Sequence, residues 1–260
     1  MPQESDPIFS DARLAALYDL FEGARDDLDA YVAMVDELGA NSVLDIGCGT
    51  GEFAVRLAAK GLHVTGLDPA VASIDIARLK PHADRVDWVE GDVGALPDIE
   101  VDLVTMTANV AQVFIEDDDW HAVLGAAATV LAPGGHLVFE TRDPDQCAWK
   151  GWNPEASFQR AADSAGNVVE TWNEVTNVVL PLVTFHGTFR FADGSTTVSA
   201  STLRFRTSDE IESGLDAAGF DVVDVRDARD RPGREFVFIA RRRSREHGQR
   251  VSVAGFKTRS

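Results

Sequence analysis

The chain has 260 residues, is 45% hydrophobic and carries a formal net charge of −19. That length suits one large α/β domain with an inserted subdomain, and the acidic balance argues against a nucleic-acid surface, which needs a basic face. Two cysteines, Cys48 inside a glycine-rich loop and Cys147, do not make a disulfide framework. The lack of an N-terminal apolar signal stretch, and of any apolar run near the ~18 residues of a membrane span, points to a soluble cytoplasmic protein.

Residues 1–10 read as irregular. From Asp11 to Leu38 the apolar residues recur at helical spacing, with Gly23 splitting the pattern into two helices. Ser42–Ile46 reads as a buried strand, Gly51–Lys60 as a helix closed by Gly61, His63–Leu67 as a strand, and Ala70–Leu79 as a helix stopped by Pro81. Strands follow at Val86–Glu90 and Val101–Met106. A helix capped by Asp118 or Asp119 then runs to about Leu131, ahead of a fifth strand, His136–Thr141. Strands alternating with helices predict a doubly wound, mostly parallel sheet.

The period then changes. Val168–Leu180, Leu182–Phe191 and Thr197–Arg206 alternate in β fashion, with Asp193-Gly194 as a hairpin turn. They predict a small antiparallel sheet inserted as a lid. Thr207-Ser208-Asp209-Glu210 is a capping box opening a helix to Ala218, and Asp221–Arg226 and Glu235–Arg241 supply two closing strands. The expected divisions are a helical cap (1–40), a Rossmann-like core (41–147), the lid (148–206), the closing elements (207–241) and a basic tail (242–260). The stretch after Ala240 holds seven Lys or Arg and one Glu, leaving residues 1–240 at a net of −25. It reads as a fraying terminus; the alternative is a segment that docks an RNA or protein partner.

Gly47-Cys48-Gly49-Thr50-Gly51 follows the first strand, but Glu52 stands where a dinucleotide fingerprint needs its third glycine. A carboxylate there opposes a pyrophosphate at the helix N-terminus, which makes an NAD-dependent dehydrogenase a poor reading. Acids at three successive strand ends, Asp45, Asp68 and Asp92, suit S-adenosylmethionine instead. Asp45 suits its ammonium, Asp68 the ribose hydroxyls and Asp92 the adenine amino group, while the glycines let the backbone approach closely.

"VLDIGCGTG", "VTGLDPA", "WVEGDVGAL", "VDLVTMTANVAQVF" and "LAPGGHLVFETRD" resemble the successive motifs of class I S-adenosylmethionine-dependent methyltransferases, from about Ser42 to Arg142. The region after Asp143 is similar, more loosely, to small-molecule members with a β-lid, such as sugar-amine and glycine N-methyltransferases. The resemblance implies a seven-stranded sheet closed by an antiparallel strand and S-adenosylmethionine as cofactor, with S-adenosylhomocysteine as product. It implies cofactor contacts at Asp45, Gly47, Gly49, Gly51, Asp68, Asp92, Val93, and around Thr107 and Asn109; Cys48 and Pro69 in the same loops are counted with them.

Methyl transfer to a small molecule, on nitrogen or oxygen, is the leading expectation. A general base is needed only if the nucleophile arrives protonated. The absence of an Asn/Asp-Pro-Pro-aromatic motif at "TANVAQ" argues against exocyclic amines of bases. A non-catalytic S-adenosylmethionine-binding module is the rival from another class. Acceptor candidates are Tyr18, Arg142, Trp149, Trp152 and Arg190, with Trp172 and Arg204 nearby in sequence and His186 as the candidate base. Asp117-Asp118-Asp119 reads as a charged helix start, so no metal is assigned. The insert's edge strands also suit pairing across a homodimer.

Overall fold

The computed structural model describes residues 5–163 and 165–244. In chain order the elements are α1 (Pro7–Ser10), α2 (Ala12–Glu22), α3 (Leu28–Leu38), β1 (Ser42–Ile46), α4 (Glu52–Ala59), β2 (His63–Asp68), α5 (Val71–Ala77), β3 (Val86–Glu90), β4 (Val101–Met106), α6 (Asp117–Val130) and β5 (Leu131–Arg142). There follow α7 (Pro154–Ser157), β6 (Gln159–Ala162), β7 (Val168–Val179), β8 (Leu182–Phe191), β9 (Thr196–Arg204), α8 (Ser208–Ala217), β10 (Phe220–Asp227) and β11 (Glu235–Arg242).

Seven strands form one sheet in the order β10-β11-β5-β4-β1-β2-β3. Neighbours from β5 to β3 are parallel, and β11 runs antiparallel to both β5 and β10. The expected architecture is therefore found. The centres of β1 (Val43, Leu44), β4 (Leu103, Val104) and β5 (Leu137, Val138, Phe139) are apolar and buried because both faces are covered. One face packs Trp120, Leu124 and Ala127 of α6 with Ile211 and Leu215 of α8; the other packs Tyr31 and Val35 of α3 with Phe53 and Leu57 of α4. The chain switches direction between β1 and β4, so the crevice opens above their C-terminal ends.

β6-β7-β8-β9 form a separate antiparallel sheet. Asp193 and Gly194 make the β8–β9 turn, with Gly194 left-handed (φ 82°) and Asp193 Oδ1 accepting the Ser195 N–H at 2.8 Å. Thr207 and Glu210 form the capping box of α8. The insert docks on the loop beyond β4: Arg204 Nη1 donates to the Ile115 carbonyl (2.9 Å) and pairs with Asp117 (2.8 Å), and Arg206 Nη2 donates to the Phe114 carbonyl (2.7 Å). The insert thus lies at the end of the main sheet that carries the glycine loop.

Several expectations change. A short helix, α1, stands where residues 1–10 read as irregular, because Asp6 and Pro7 start a turn. α6 begins at Asp117 and no side chain caps it; its three acids instead face the positive end of the helix, and Asp117 pairs with Arg204. β6 and α7 were not foreseen, being too short to show a period. β11 runs to Arg242, and Arg243 pairs with Asp216 and Asp221, so the basic segment starts later than position 242. The rest of it, residues 245–260, lies outside the described residues. Among the described residues no helix is long and apolar enough to cross a membrane.

Candidate active site

The glycine loop is shaped by its backbone. Gly47, Gly49 and Gly51 all have positive φ (70°, 53° and 79°), where a side chain is strained. The Gly47 and Cys48 N–H groups donate to the Leu67 carbonyl (2.8 and 3.1 Å), tying the loop to β2. A Cβ on Gly51 would stand 2.5 Å from the Trp88 ring and 2.7 Å from Ala77, and one on Gly47 would strike Val110 at 2.6 Å. Above Gly49, by contrast, nothing among the described residues lies within 4 Å of that position, so the loop leaves open space there. Gly51→Ala is expected to destabilise the fold by about 2–5 kcal/mol, from left-handed backbone plus overpacking. Gly49→Ala is expected to cost about 1–2 kcal/mol, from the backbone alone, while still filling the space over the loop. Denaturant unfolding of the two variants checks the order.

The carboxyls converge here. Asp45 is 1% exposed at the end of β1, and the Thr105 hydroxyl donates to its Oδ1 at 2.8 Å. Burial, opposed by that hydrogen bond and reinforced by the charge of Asp68, pushes its pKa up to about 7. Asp68 is 8% exposed; its Oδ2 accepts the Gly49 N–H and its Oδ1 the Ala70 N–H, both at 2.8 Å. Burial raises its pKa against those two hydrogen bonds. Pro69 is exposed beside it. Burial, then the charges of Asp45 and Asp68, push the Cys48 thiol well up, which makes it a packing residue and not a nucleophile. Asp92 is exposed beyond β3, where its Oδ1 caps the Gly94 N–H (2.8 Å), with Val93 half-buried next to it.

The N-terminal helices close over this loop. Asp19 of α2 accepts from the Thr50 hydroxyl (2.5 Å) and pairs with Lys80 (2.6 Å), which also pairs with Glu52 (3.1 Å). Ser73 Oγ donates to the Phe9 carbonyl, and the Ile8 N–H donates to Ser199 Oγ, both at 2.9 Å. On its other side α2 lays Leu14 and Leu17 against Val169, Phe189 and Phe191 of the insert. The helices therefore lie between core and insert. Tyr18 points inward, its ring 5.5 Å from Phe9, and burial raises its phenol's pKa.

Beyond β4 and β5 lies a second, mixed-charge cluster. Thr107 is buried at the end of β4. Asn109 donates its N–H to Glu140 (3.0 Å) and faces Glu235. Arg142 donates to Gln112 Oε1 (2.8 Å), pairs with Glu235 (3.5 Å) and lies over the Trp152 ring at 5.5 Å. Arg231 pairs with Glu235 at 2.7 Å. Burial and the charge of Glu235 push Glu140 up to about 7.

Of the acceptor candidates, Arg142 and Trp152 come together beyond the end of β5, while Tyr18 packs on Phe9 in the N-terminal helices. Trp149 does not join them; it is buried edge-on against Phe205, 4.7 Å between centroids, and serves as packing. Strand alternation removes His186 and Arg190. Val183, Phe185 and Phe189 take the inward face of β8, so His186 and Arg190 share the outward one. There Arg190 pairs with Glu170, and His186 stands across from Glu174, away from the crevice. Trp172 lies on that same outward face, and Arg204 serves to dock the insert. Residues that sequence reasoning missed are Glu140, Glu235, Gln112, Arg231 and the Asp19–Thr50–Lys80 contact. The available signal was a carboxylate inside an apolar strand, in "LVFETR" and "EFVFIA".

Residues 43–135 match a family described as "Methyltransferase domain". Cypemycin N-terminal methyltransferase from a Streptomyces species is 33% identical over 168 residues, covering 63% of this chain and 64% of that protein. Ubiquinone biosynthesis O-methyltransferase from Pectobacterium atrosepticum is 36% identical over 119 residues, 43% of this chain and 47% of that protein. The chain thus spans less than two thirds of either curated relative. The sugar N-methyltransferase KedS8 from Streptoalloteichus shares the fold, with a TM-score of 0.68 at 20% identity over 87% of this chain and 93% of that one. The matched segment holds the glycine loop and all three strand-end acids, so residues 43–135 are similar to that methyltransferase domain, and the chain as a whole shares the fold of KedS8.

Proposed function

We propose that this chain transfers a methyl group from S-adenosylmethionine to nitrogen or oxygen of a small molecule. The observation that carries this reading is the open space over Gly49, flanked by the buried carboxyls Asp45 and Asp68 and by a helix that opens with Glu52. A phosphate-bearing cofactor would meet three acids there. Lys80, the cation beside the loop, is already paired with Asp19 and Glu52.

The residues present fit S-adenosylmethionine. Each Asp68 oxygen accepts one backbone N–H and keeps a further lone pair for a ribose hydroxyl. Asp45, with one hydrogen bond from Thr105, retains capacity for an ammonium. The second oxygen of Asp92, with Val93, suits the adenine edge, and the backbone of Gly47, Cys48, Gly49, Gly51, Pro69 and Thr107 forms the walls. When bound, the cofactor supplies a methyl group activated by its sulfonium. The protein's part is to align the acceptor and exclude water. Tyr18 and the N-terminal helices cover the site, and Arg142 and Trp152 border the acceptor side. The two curated relatives described above are named as methyltransferases, one an N-terminal methyltransferase of cypemycin and one an O-methyltransferase of ubiquinone biosynthesis.

Calorimetry tests the reading. S-adenosylmethionine and S-adenosylhomocysteine are expected to bind in the micromolar range, and NAD not to bind. Tight NAD binding without S-adenosylhomocysteine binding would reject it. Binding without turnover across amine and hydroxyl acceptors would favour a regulatory module.

A further inference from the structure

Glu52, which opens α4 directly after the glycine loop, has both carboxylate oxygens engaged. Oε1 accepts from Arg56 Nε at 3.0 Å and Oε2 from Lys80 Nζ at 3.1 Å. Both cations reach on to the N-terminal helices. Lys80 pairs with Asp19 of α2 at 2.6 Å. Arg56 donates to the carbonyls of Ala24 (2.7 Å) and Arg25 (3.0 Å), in the turn between α2 and α3, and pairs with Asp29 at 3.2 Å. The other oxygen of Asp19 accepts from the hydroxyl of Thr50, inside the glycine loop, at 2.5 Å. Glu52 is thus the centre of a chain of charges that fastens α2, and the turn after it, to the loop.

That turn has the form of a pivot. Gly23 and Arg25 both have positive φ (70° and 52°), and for Arg25 this conformation is strained, so the contacts from Arg56 help to hold it. After the pivot, α3 belongs to the core, with Leu28, Tyr31 and Val35 among Phe53 and Leu57. Before it, α2 clusters with the insert, Leu14 and Leu17 lying among Val169, Phe189 and Phe191. Both of those seams are apolar and exclude water. The seam over the glycine loop is made of partly exposed ions, with side-chain exposures of 14% for Lys80, 29% for Glu52 and 39% for Asp19. The tie from α1 to α5, Ser73 Oγ to the Phe9 carbonyl, is polar as well. Water replaces each of these partners as the seam opens, so it parts more readily than an apolar one.

We propose that Glu52 is a positioning residue: it latches α2 over the glycine loop, and release of the latch lets α2 move with the insert while the cofactor passes in or out. This rests on the methyltransferase reading above. With the latch made, Asp45 and Asp68 are 1% and 8% exposed, so the carboxyls that would hold the cofactor are closed off from solvent. A carboxylate in the first turn of a helix also complements the helix dipole, but that role acts on stability alone. A latch acts on the rates at which the cofactor enters and leaves.

The test is stopped-flow tryptophan fluorescence of S-adenosylhomocysteine binding, with Trp88, which packs beside Gly51, as reporter. Glu52→Gln keeps the shape of the side chain and removes its charge. It is expected to raise both the association and the dissociation rate about fivefold or more, because the open form becomes more populated. Asp36→Asn makes the same change of charge but breaks only the exposed pair with Lys60 at the far end of α4, and is expected to leave both rates within about twofold. Added salt is expected to speed dissociation from the wild type and to have little effect on Glu52→Gln, whose latch is already broken. If thermal melts show Glu52→Gln to be poorly folded, Asp19→Asn breaks the same latch from the α2 side and is expected to give the same faster rates. The proposal is overturned if the folded variant keeps wild-type rates, if only its melting temperature falls, or if Asp36→Asn matches the gain. Faster dissociation without faster association also overturns it, since that marks a lost contact and not an opened latch. Failure of the wild type to bind S-adenosylhomocysteine at all would instead remove the methyltransferase reading, and this proposal with it.

Discussion

Asp68→Ala is expected to weaken S-adenosylhomocysteine binding by roughly 30- to 1000-fold, about 2–4 kcal/mol, from the loss of charge-assisted hydrogen bonds to the ribose. The structure adds a second route to the same loss. The Asp68 carboxylate holds the Gly49 and Ala70 N–H groups, so its removal also releases the loop that lines the open space. Asp87 is the matched control: it lies in the neighbouring strand β3, its side chain is exposed, and its removal changes net charge equally. Asp87→Ala is expected to cost about 0.5 kcal/mol or less, in stability and not in binding. Calorimetry on both variants separates a site effect from a field effect. Equal binding by the two would reject the ribose assignment.

The free protein is expected to lose stability as pH rises from about 4 to 8. The buried carboxyls Asp45 and Glu140 carry the larger shifts, and Asp68, also raised by burial, acts in the same direction. Asp45 is raised from 3.8 to about 7 by burial, against the Thr105 hydrogen bond and with the charge of Asp68. Glu140 is raised from 4.5 to about 7 by burial and by Glu235. Between the unfolded and folded pKa values the native state holds protons that the unfolded chain has released. Unfolding therefore releases protons, and the stability present at low pH is lost as pH rises toward the folded values. At ~1.4 kcal/mol per pKa unit the upper bound is on the order of 3–5 kcal/mol for each group, larger for Asp45 than for Glu140. Ordinary carboxylates held by cations oppose this at the acid end. Asp27 and Glu52, whose pKa values are lowered in the fold, stabilise it above their unfolded pKa values and lose that effect as pH falls. The raised pair should thus dominate between about pH 5 and 8.

Binding reverses the sign at Asp45. A cofactor ammonium favours the carboxylate, so S-adenosylhomocysteine affinity is expected to rise with pH through 7, with proton release visible by calorimetry in buffers of different ionisation enthalpy. Asp45→Asn is expected to flatten part of the thermal-melt slope between pH 6 and 8 and to raise the melting temperature at pH 8. It should also remove the pH dependence of binding. An unchanged slope in Asp45→Asn would show that its carboxyl is not the titrating group.

The glycine loop and the three strand-end acids were readable from the chain alone because each of these parts is local. Strand, glycine loop and helix are consecutive in "SVLDIGCGTGEF", and each acid follows its own apolar run, so the parallel-sheet rule places all of them at one edge. The switch to strict alternation after residue 168 marked the inserted sheet for the same reason. Alternation alone set Phe185 and Phe189 on one face of β8 and His186 and Arg190 on the other. What it could not settle was whether that second face lines the crevice; the packing of Leu14 and Leu17 on Phe189 and Phe191 puts His186 and Arg190 away from it. The polar cluster beyond β4 and β5 was hidden more deeply. Asn109 meets Glu140 across 31 positions and Glu235 across 126, and Thr50 meets Asp19 across 31. A strand's hydrophobic pattern records that Glu140 and Glu235 are exceptions within apolar runs, but not which partners make their burial tolerable. Hydrogen bonds and ion pairs between distant segments depend on the order of strands in the sheet and the seating of the N-terminal helices, and those are decided only when the whole chain packs.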